Sequence, residues 1–139
     1  MLPLLAEDTA VSSVVCDELR FDQWQGGRDE LSDTFTVEED GGYISCLPTA
    51  TPYARNSLMS GLSPREIEDE YGVKLYNHGN KNEKQLLRDA TGLHGNDLKY
   101  VNAAGQKTKS DRTRNIMEIE AQLKAFVYHL LDWYTHVHE

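Results

Sequence analysis

Two patterns alternate along this chain. Short apolar, β-branched runs read as strands, and longer mixed stretches between them read as helices. Val11-Ser12-Ser13-Val14-Val15-Cys16 is fit for a buried strand, and Tyr43-Ile44-Ser45-Cys46 is a second apolar run. The pattern predicts strands at 11–16, 34–38, 42–47 and 124–131, with a further one at 97–102. It predicts helices at 19–25, 52–60, 64–70, 83–90 and 114–123. Gly41-Gly42 supplies a turn between two strands, and residues 72–84 read as polar loop. Such alternation favours a partly parallel α/β sheet sandwiched by helices, within one domain of at most 139 residues.

The densest chemistry lies in Cys46-Leu47-Pro48-Thr49-Ala50-Thr51-Pro52-Tyr53-Ala54-Arg55-Asn56. A strand runs into a Pro-Thr-Ala-Thr-Pro turn, and the helix that follows stops at Gly61. A hydroxyl is thereby set where a strand ends and a helix begins. Orphan backbone N–H groups and the positive end of the helix dipole converge at such a corner. It can bind a phosphate and hold a nucleophilic Thr against it. The plainer alternative is a cap: Thr51 at the N-cap and Pro52 at the first helical position make an ordinary helix start. Arg55, one turn along, is either a phosphate contact or half of a surface ion pair, and the pair is favoured. Asn56 is a weaker candidate for the substrate.

Two further signals stand at the ends of other strands. Asp17 lies just past the first one, and open α/β sheets bind ligands at the carboxyl ends of their strands. It is placed to bind a metal, and equally placed to cap the next helix. Near the other end, Asp132-Trp133-Tyr134-Thr135-His136 offers an oxygen and an imidazole nitrogen that one helical turn brings together. That pair suits Zn²⁺ or a similar divalent ion, or else it is a solvated polar face.

Taken in order, these blocks resemble the alkaline phosphatase superfamily, more nearly its PglZ branch, and most nearly the effector domain of PorX-type two-component response regulators. The residues that carry the likeness are 15–24, 35–39, 47–57 and 60–67. It covers most of 11–68 and returns at 124–136, while 69–123 match only loosely. The resemblance implies a partial alkaline-phosphatase-like three-layer sandwich with a mostly parallel central sheet. It implies that Asp17 is a ligand of one metal and that Asp132 and His136 are ligands of another, with zinc as the metal. Thr51 would be the nucleophile and would also approach the metals, and Arg55 and Asn56 would lie near the substrate. The implied substrate is a phosphate ester, a nucleotide or oligonucleotide diester, and the implied setting is signalling.

The superfamily also uses a later Asp-His pair and a final His, and this sequence reaches Glu139 without them. The expectation is therefore a fragment of a longer domain, or a domain whose two metal sites are incomplete. On that basis the chain alone would hydrolyse phosphodiesters poorly. The alternative function is a non-catalytic output or interaction domain of a two-component regulator. A shortened fold would leave sheet edges or helix faces for missing chain or a homodimer to cover.

Composition narrows the partners. A net charge of −9 argues against a general nucleic-acid surface, although a metal can supply positive charge locally. Lys107, Lys109, Arg112 and Arg114 form the one basic cluster, and Gly105-Gln106-Lys107-Thr108 lacks the spacing of a P-loop. Cys16 and Cys46 give no disulfide framework and are expected to be buried free thiols. No run approaches a membrane span and no signal peptide is evident, so the expected location is cytoplasmic. The sharpest structural expectation is that Asp17, Thr51, Asp132 and His136 converge at the carboxyl edge of one sheet.

Overall fold

The computed structural model describes residues 9–103 and 120–128, with His78 described by its backbone alone. Three strands form one all-parallel sheet: β1 (Val11–Cys16), β2 (Leu98–Asn102) and β3 (Leu123–Tyr128), in the order β1-β3-β2. Val11 and Leu98 both pair with Leu123, and Cys16 pairs with Tyr128, so β1 runs level with β3 along the whole described length of the latter. Central β3 buries Leu123, Ala125, Phe126 and Val127, the near-continuous burial of a parallel strand covered on both faces. β1 alternates instead, with Val11 and Val15 against the core and Val14 exposed.

Parallel strands need long crossovers. The chain between β1 and β2 carries five helices: α1 (Phe21–Ser32), α2 (Thr51–Ser60), α3 (Pro64–Tyr71), α4 (Leu75–His78) and α5 (Glu83–Thr91). The joint between α2 and α3 is fixed by local chemistry. Gly61 ends α2 at φ 73°, a left-handed conformation that glycine adopts without steric cost. Ser63 and Glu66 then form a capping box, the Glu66 N–H donating to Ser63 Oγ at 3.4 Å and the Ser63 N–H to Glu66 Oε2 at 2.8 Å. Pro64 occupies the first turn of α3, where a missing N–H costs nothing.

One core results. Met59 from α2, Ile67 from α3, Leu75 from α4 and Leu86 and Leu87 from α5 pack on Leu98, Leu123, Ala125 and Val127. The strand residues in that set alternate along β2 and β3, so they share one face of the sheet. α1 is different: it buries no residue. It holds the following segment through two contacts to Asp40, from Trp24 Nε1 at 3.0 Å and from Arg28 at 3.0 Å.

The architecture is the expected α/β with a parallel sheet, and β1, β2, β3, α2, α3 and α5 lie within a few residues of their sequence-based bounds. The strands expected at 34–38 and 42–47 are absent: residues 33–50 carry no strand. Phe35, Tyr43, Ile44 and Leu47 in that stretch are exposed, Ile44 at 97%. β-propensity expresses itself only where a neighbouring strand and a covering surface are available, and here neither is. The helix expected at 114–123 does not run through 120–123. The Gln122 carbonyl accepts from the Val11 N–H at 2.8 Å, and the Leu123 N–H donates to the Asp97 carbonyl at 2.9 Å, so the ladder takes these residues. The rest of that helix, and 129–131 of the last expected strand, lie outside the described residues. The expected loop at 72–84 contains α4, which exists because Leu75 is fully buried. α1 extends well past the predicted 19–25. The cysteines are free, but Cys16 is exposed and Cys46 only half-buried, since Cys16 points off the outward face of β1. No described helix is long and apolar enough to cross a membrane.

The core predicts a steep contrast in stability. Leu87→Ala should destabilise by about 2–5 kcal/mol, as for other buried leucines. Leu31→Ala, on exposed α1, should change stability by less than about 0.5 kcal/mol. Urea unfolding followed by far-UV circular dichroism would measure both, and equal losses would contradict this placement of the core.

Candidate functional site

α2 begins one residue earlier than an ordinary cap would allow. Ala50 is the N-cap, at φ −59° and ψ 140°, and its carbonyl accepts from the Tyr53 and Ala54 N–H groups at 2.9 and 3.1 Å. Thr51 is therefore the first helical residue and Pro52 the second, which corrects the expectation of Thr51 as cap. Alanine has no side-chain oxygen, and the helix start carries no side-chain cap hydrogen bond. The Thr51 hydroxyl is thus not spent on capping, and it sits beside the positive end of the helix dipole.

Asp17 reaches the same place from the sheet. Its N–H donates to the Tyr128 carbonyl at 3.0 Å, continuing the β1–β3 ladder by one step. Glu18 then adopts φ 62°, rare for a residue with a Cβ, and turns the chain off the sheet edge. A cleft of about 840 Å³ opens at this carboxyl end, and Asp17, Glu18, Thr49, Thr51 and Arg55 are among its lining residues. Asp17 and Thr51 are therefore brought together on one cleft. Asp132 and His136 lie outside the described residues, as does the basic cluster 107–114.

Arg55 turns inward rather than to the surface, with only 3% of it exposed. Its Nη1 donates to Asp17 Oδ2 at 3.0 Å and its Nη2 to Glu83 Oε2 at 2.6 Å. The favoured surface pair is in fact a buried double pair. Glu83, the first residue of α5, is fully buried, and Tyr100 of β2 donates its hydroxyl to the same Oε2. Burial alone would lower the Arg55 pKa, but the bonds and charges of Glu83 and then Asp17 outweigh it and raise it. Burial, then Glu83, pushes the Tyr100 phenol up as well, so it stays protonated and able to donate. Asn56 is fully buried, and its Nδ2 donates to the carbonyls of Pro52 at 2.5 Å and Gly79 at 3.0 Å. It ties the first turn of α2 to the end of α4 and is not among the residues lining the cleft.

Glu83 and Tyr100 were not singled out in the sequence, yet both had a signal. Glu83, Leu86 and Leu87 stand at i, i+3 and i+4, so an acid shares the apolar stripe of α5. Tyr100 alternates with Leu98 on the core side of β2. An acid on an apolar stripe demands a buried cation, and Arg55 answers it.

Donors for a metal are partial. Among the described residues no three His, Cys, Asp or Glu side chains come together as a metal site. Asp17 and Thr51 supply two oxygens to one cleft, which fits a share of a divalent ion's inner shell; a catalytic zinc takes three protein ligands. The arrangement joins a hydroxyl at a helix N-terminus to a carboxylate at a strand end, and this combination suits transfer of a phosphoryl group.

A comparison with curated proteins returns no match. A family model described as the BREX system PglZ alkaline phosphatase-like domain matches residues 1–134. That match takes in β1 with Asp17, the uncapped start of α2 with Thr51, and the buried partners of Arg55. The chain belongs to the PglZ family of alkaline phosphatase-like domains, a lineage of phosphoesterase-type hydrolases.

Proposed function

We propose that this chain carries the nucleophile side of a metal-dependent phosphohydrolase, a phosphodiesterase acting on nucleotides or oligonucleotides. The observation that carries the reading is the Thr51 hydroxyl. It is the first residue of α2, unused as a cap, and on one cleft with Asp17. In this reading Thr51 Oγ1 gives up its proton to solvent and attacks phosphorus, the bond to the leaving oxygen breaks and that oxygen takes a proton from solvent, and water later hydrolyses the phosphothreonine to restore the hydroxyl. The backbone at the start of α2 offers its dipole to a non-bridging oxygen. Arg55 lines the cleft but is shared between two carboxylates, so in this reading its charge is divided between them and any phosphate bound there.

Asp17 and Thr51, with Asp132 and His136, are the residues proposed to hold zinc. Zinc, when bound, lowers the pKa of a coordinated hydroxyl and neutralises phosphate charge. Chain reach supports including the later pair. The described part of β3 reaches Tyr128 opposite Cys16, and Asp132 follows four residues on in the sequence, within at most about 14 Å of chain. The role in signalling rests on the resemblance to PorX-type effector domains alone.

Two outcomes test this reading. Thr51→Ala should abolish zinc-dependent hydrolysis of a chromogenic phosphodiester, while Thr49→Ala should have a smaller effect. Because Thr51 makes no cap bond, its alanine variant should lose less than about 0.5 kcal/mol of stability, not the ~1 kcal/mol of a lost cap. Equal turnover in Thr51→Ala and the parent would exclude covalent catalysis at this residue. Separately, whatever turnover the chain shows should be weak, a chelator should remove it, and added Zn²⁺ should return it only to that weak level; turnover indifferent to the chelator would refute metal dependence.

A further inference from the structure

A line of side chains crosses the sheet behind the cleft. Tyr100 stands on β2, at one edge of the sheet, and Asp17 follows β1, at the other edge. Between them Tyr100 donates to Glu83 Oε2, Arg55 donates to the same oxygen, and Arg55 donates again to Asp17 Oδ2. Four elements of the fold, β2, α5, α2 and β1, are joined by these contacts, and the end of the line is the one carboxylate among them that lines the cleft.

Each member suits a different task. Glu83 is fully buried and Arg55 nearly so, so neither charge is tolerable without the other. The guanidinium is planar with two separate prongs, and it can bridge carboxylates on different elements as an ammonium cannot. Tyr100 donates to a second lone pair of Glu83 Oε2, which limits the direction from which Arg55 approaches. An isolated carboxylate at a strand end rotates freely about its last bond. Asp17 does not have that freedom, because one oxygen is bonded from behind.

We infer that Arg55 is a positioning residue, anchored by Glu83 and Tyr100, that sets the orientation in which the Asp17 carboxylate is offered to a divalent metal in the cleft. This rests on the proposed reading of Asp17 as a metal ligand. Partners of ligating groups act in this way generally, and their loss weakens metal binding although they never touch the ion.

The test is Zn²⁺ affinity of the full chain, measured by isothermal titration calorimetry at a temperature where circular dichroism shows each variant folded. Asp17→Asn probes the ligand itself, and Glu83→Gln probes the anchor two bonds removed from it. Glu83→Gln should weaken Zn²⁺ binding by about 10–100-fold. Arg55→Lys keeps the charge but not the two prongs, and should fall between the parent and Asp17→Asn. If Glu83→Gln does not fold, Tyr100→Phe removes one hydroxyl only and should still weaken binding by at least about threefold. Unchanged affinity in Glu83→Gln or, where that does not fold, in Tyr100→Phe, with a loss in Asp17→Asn, would overturn the positioning role and leave the metal reading standing. Unchanged affinity in Asp17→Asn would overturn the metal reading and this inference with it.

Discussion

The Arg55 guanidinium, held between Asp17 and Glu83, is the constraint on which the rest of the site depends. Removing two carboxylates and a guanidinium from water is costly, and their mutual attraction repays it only when geometry is good. The same asymmetry makes the arrangement hard to leave. Deleting one partner of a buried pair typically costs about 3–5 kcal/mol, because the other charge is stranded. The packing of α5 on the core therefore cannot be separated from the position of Asp17. Leu86 and Leu87 bring Glu83 to its place, Glu83 brings Arg55, and Arg55 brings the end of β1 into register with the start of α2.

The start of α2 shows how one residue of register changes chemistry. With Thr51 as cap, its hydroxyl would answer a backbone N–H and would have little to offer a substrate. With Ala50 as cap, the same hydroxyl is on the cleft with no capping duty. Stability is conceded at the helix end, where a capping side chain is absent, and a hydroxyl left on the cleft is the return. Violations of a local rule at a functional corner are a common pattern in folded proteins.

Much of this was legible in the sequence, and the failures have physical causes. The strand before Asp17 and the helix after Thr51 were readable from β-branched runs and turn residues, because both are specified locally. The segment 33–50 was misread because its aromatic and β-branched residues satisfy strand preferences without a partner strand to pair with. Arg55 was correctly seen as an ion-pairing candidate, but its depth depends on α5, nearly thirty residues away, and no local pattern reports that distance. Glu83 was readable in principle from its place on an apolar stripe. Asp132 and His136 lie outside the described residues, so the metal set as a whole rests on sequence.

The bareness of α1 sets up a gradient of cohesion across the cleft. Its floor is built from β1, α2 and the Arg55 cluster, and these share the buried core. Its far wall includes Tyr43, Ser45 and Pro48, from a stretch that is anchored through Asp40 to a helix with no buried residue and two adjacent glycines, Gly26 and Gly27. Surface ion pairs and exposed hydrogen bonds of that kind add little stability. Opening of α1 and its following segment is accordingly a sub-global event of low free energy, distinct from unfolding of the sheet. Amide exchange would divide the described residues into two tiers, with the amides of β1 and of the later turns of α2 in the slow one.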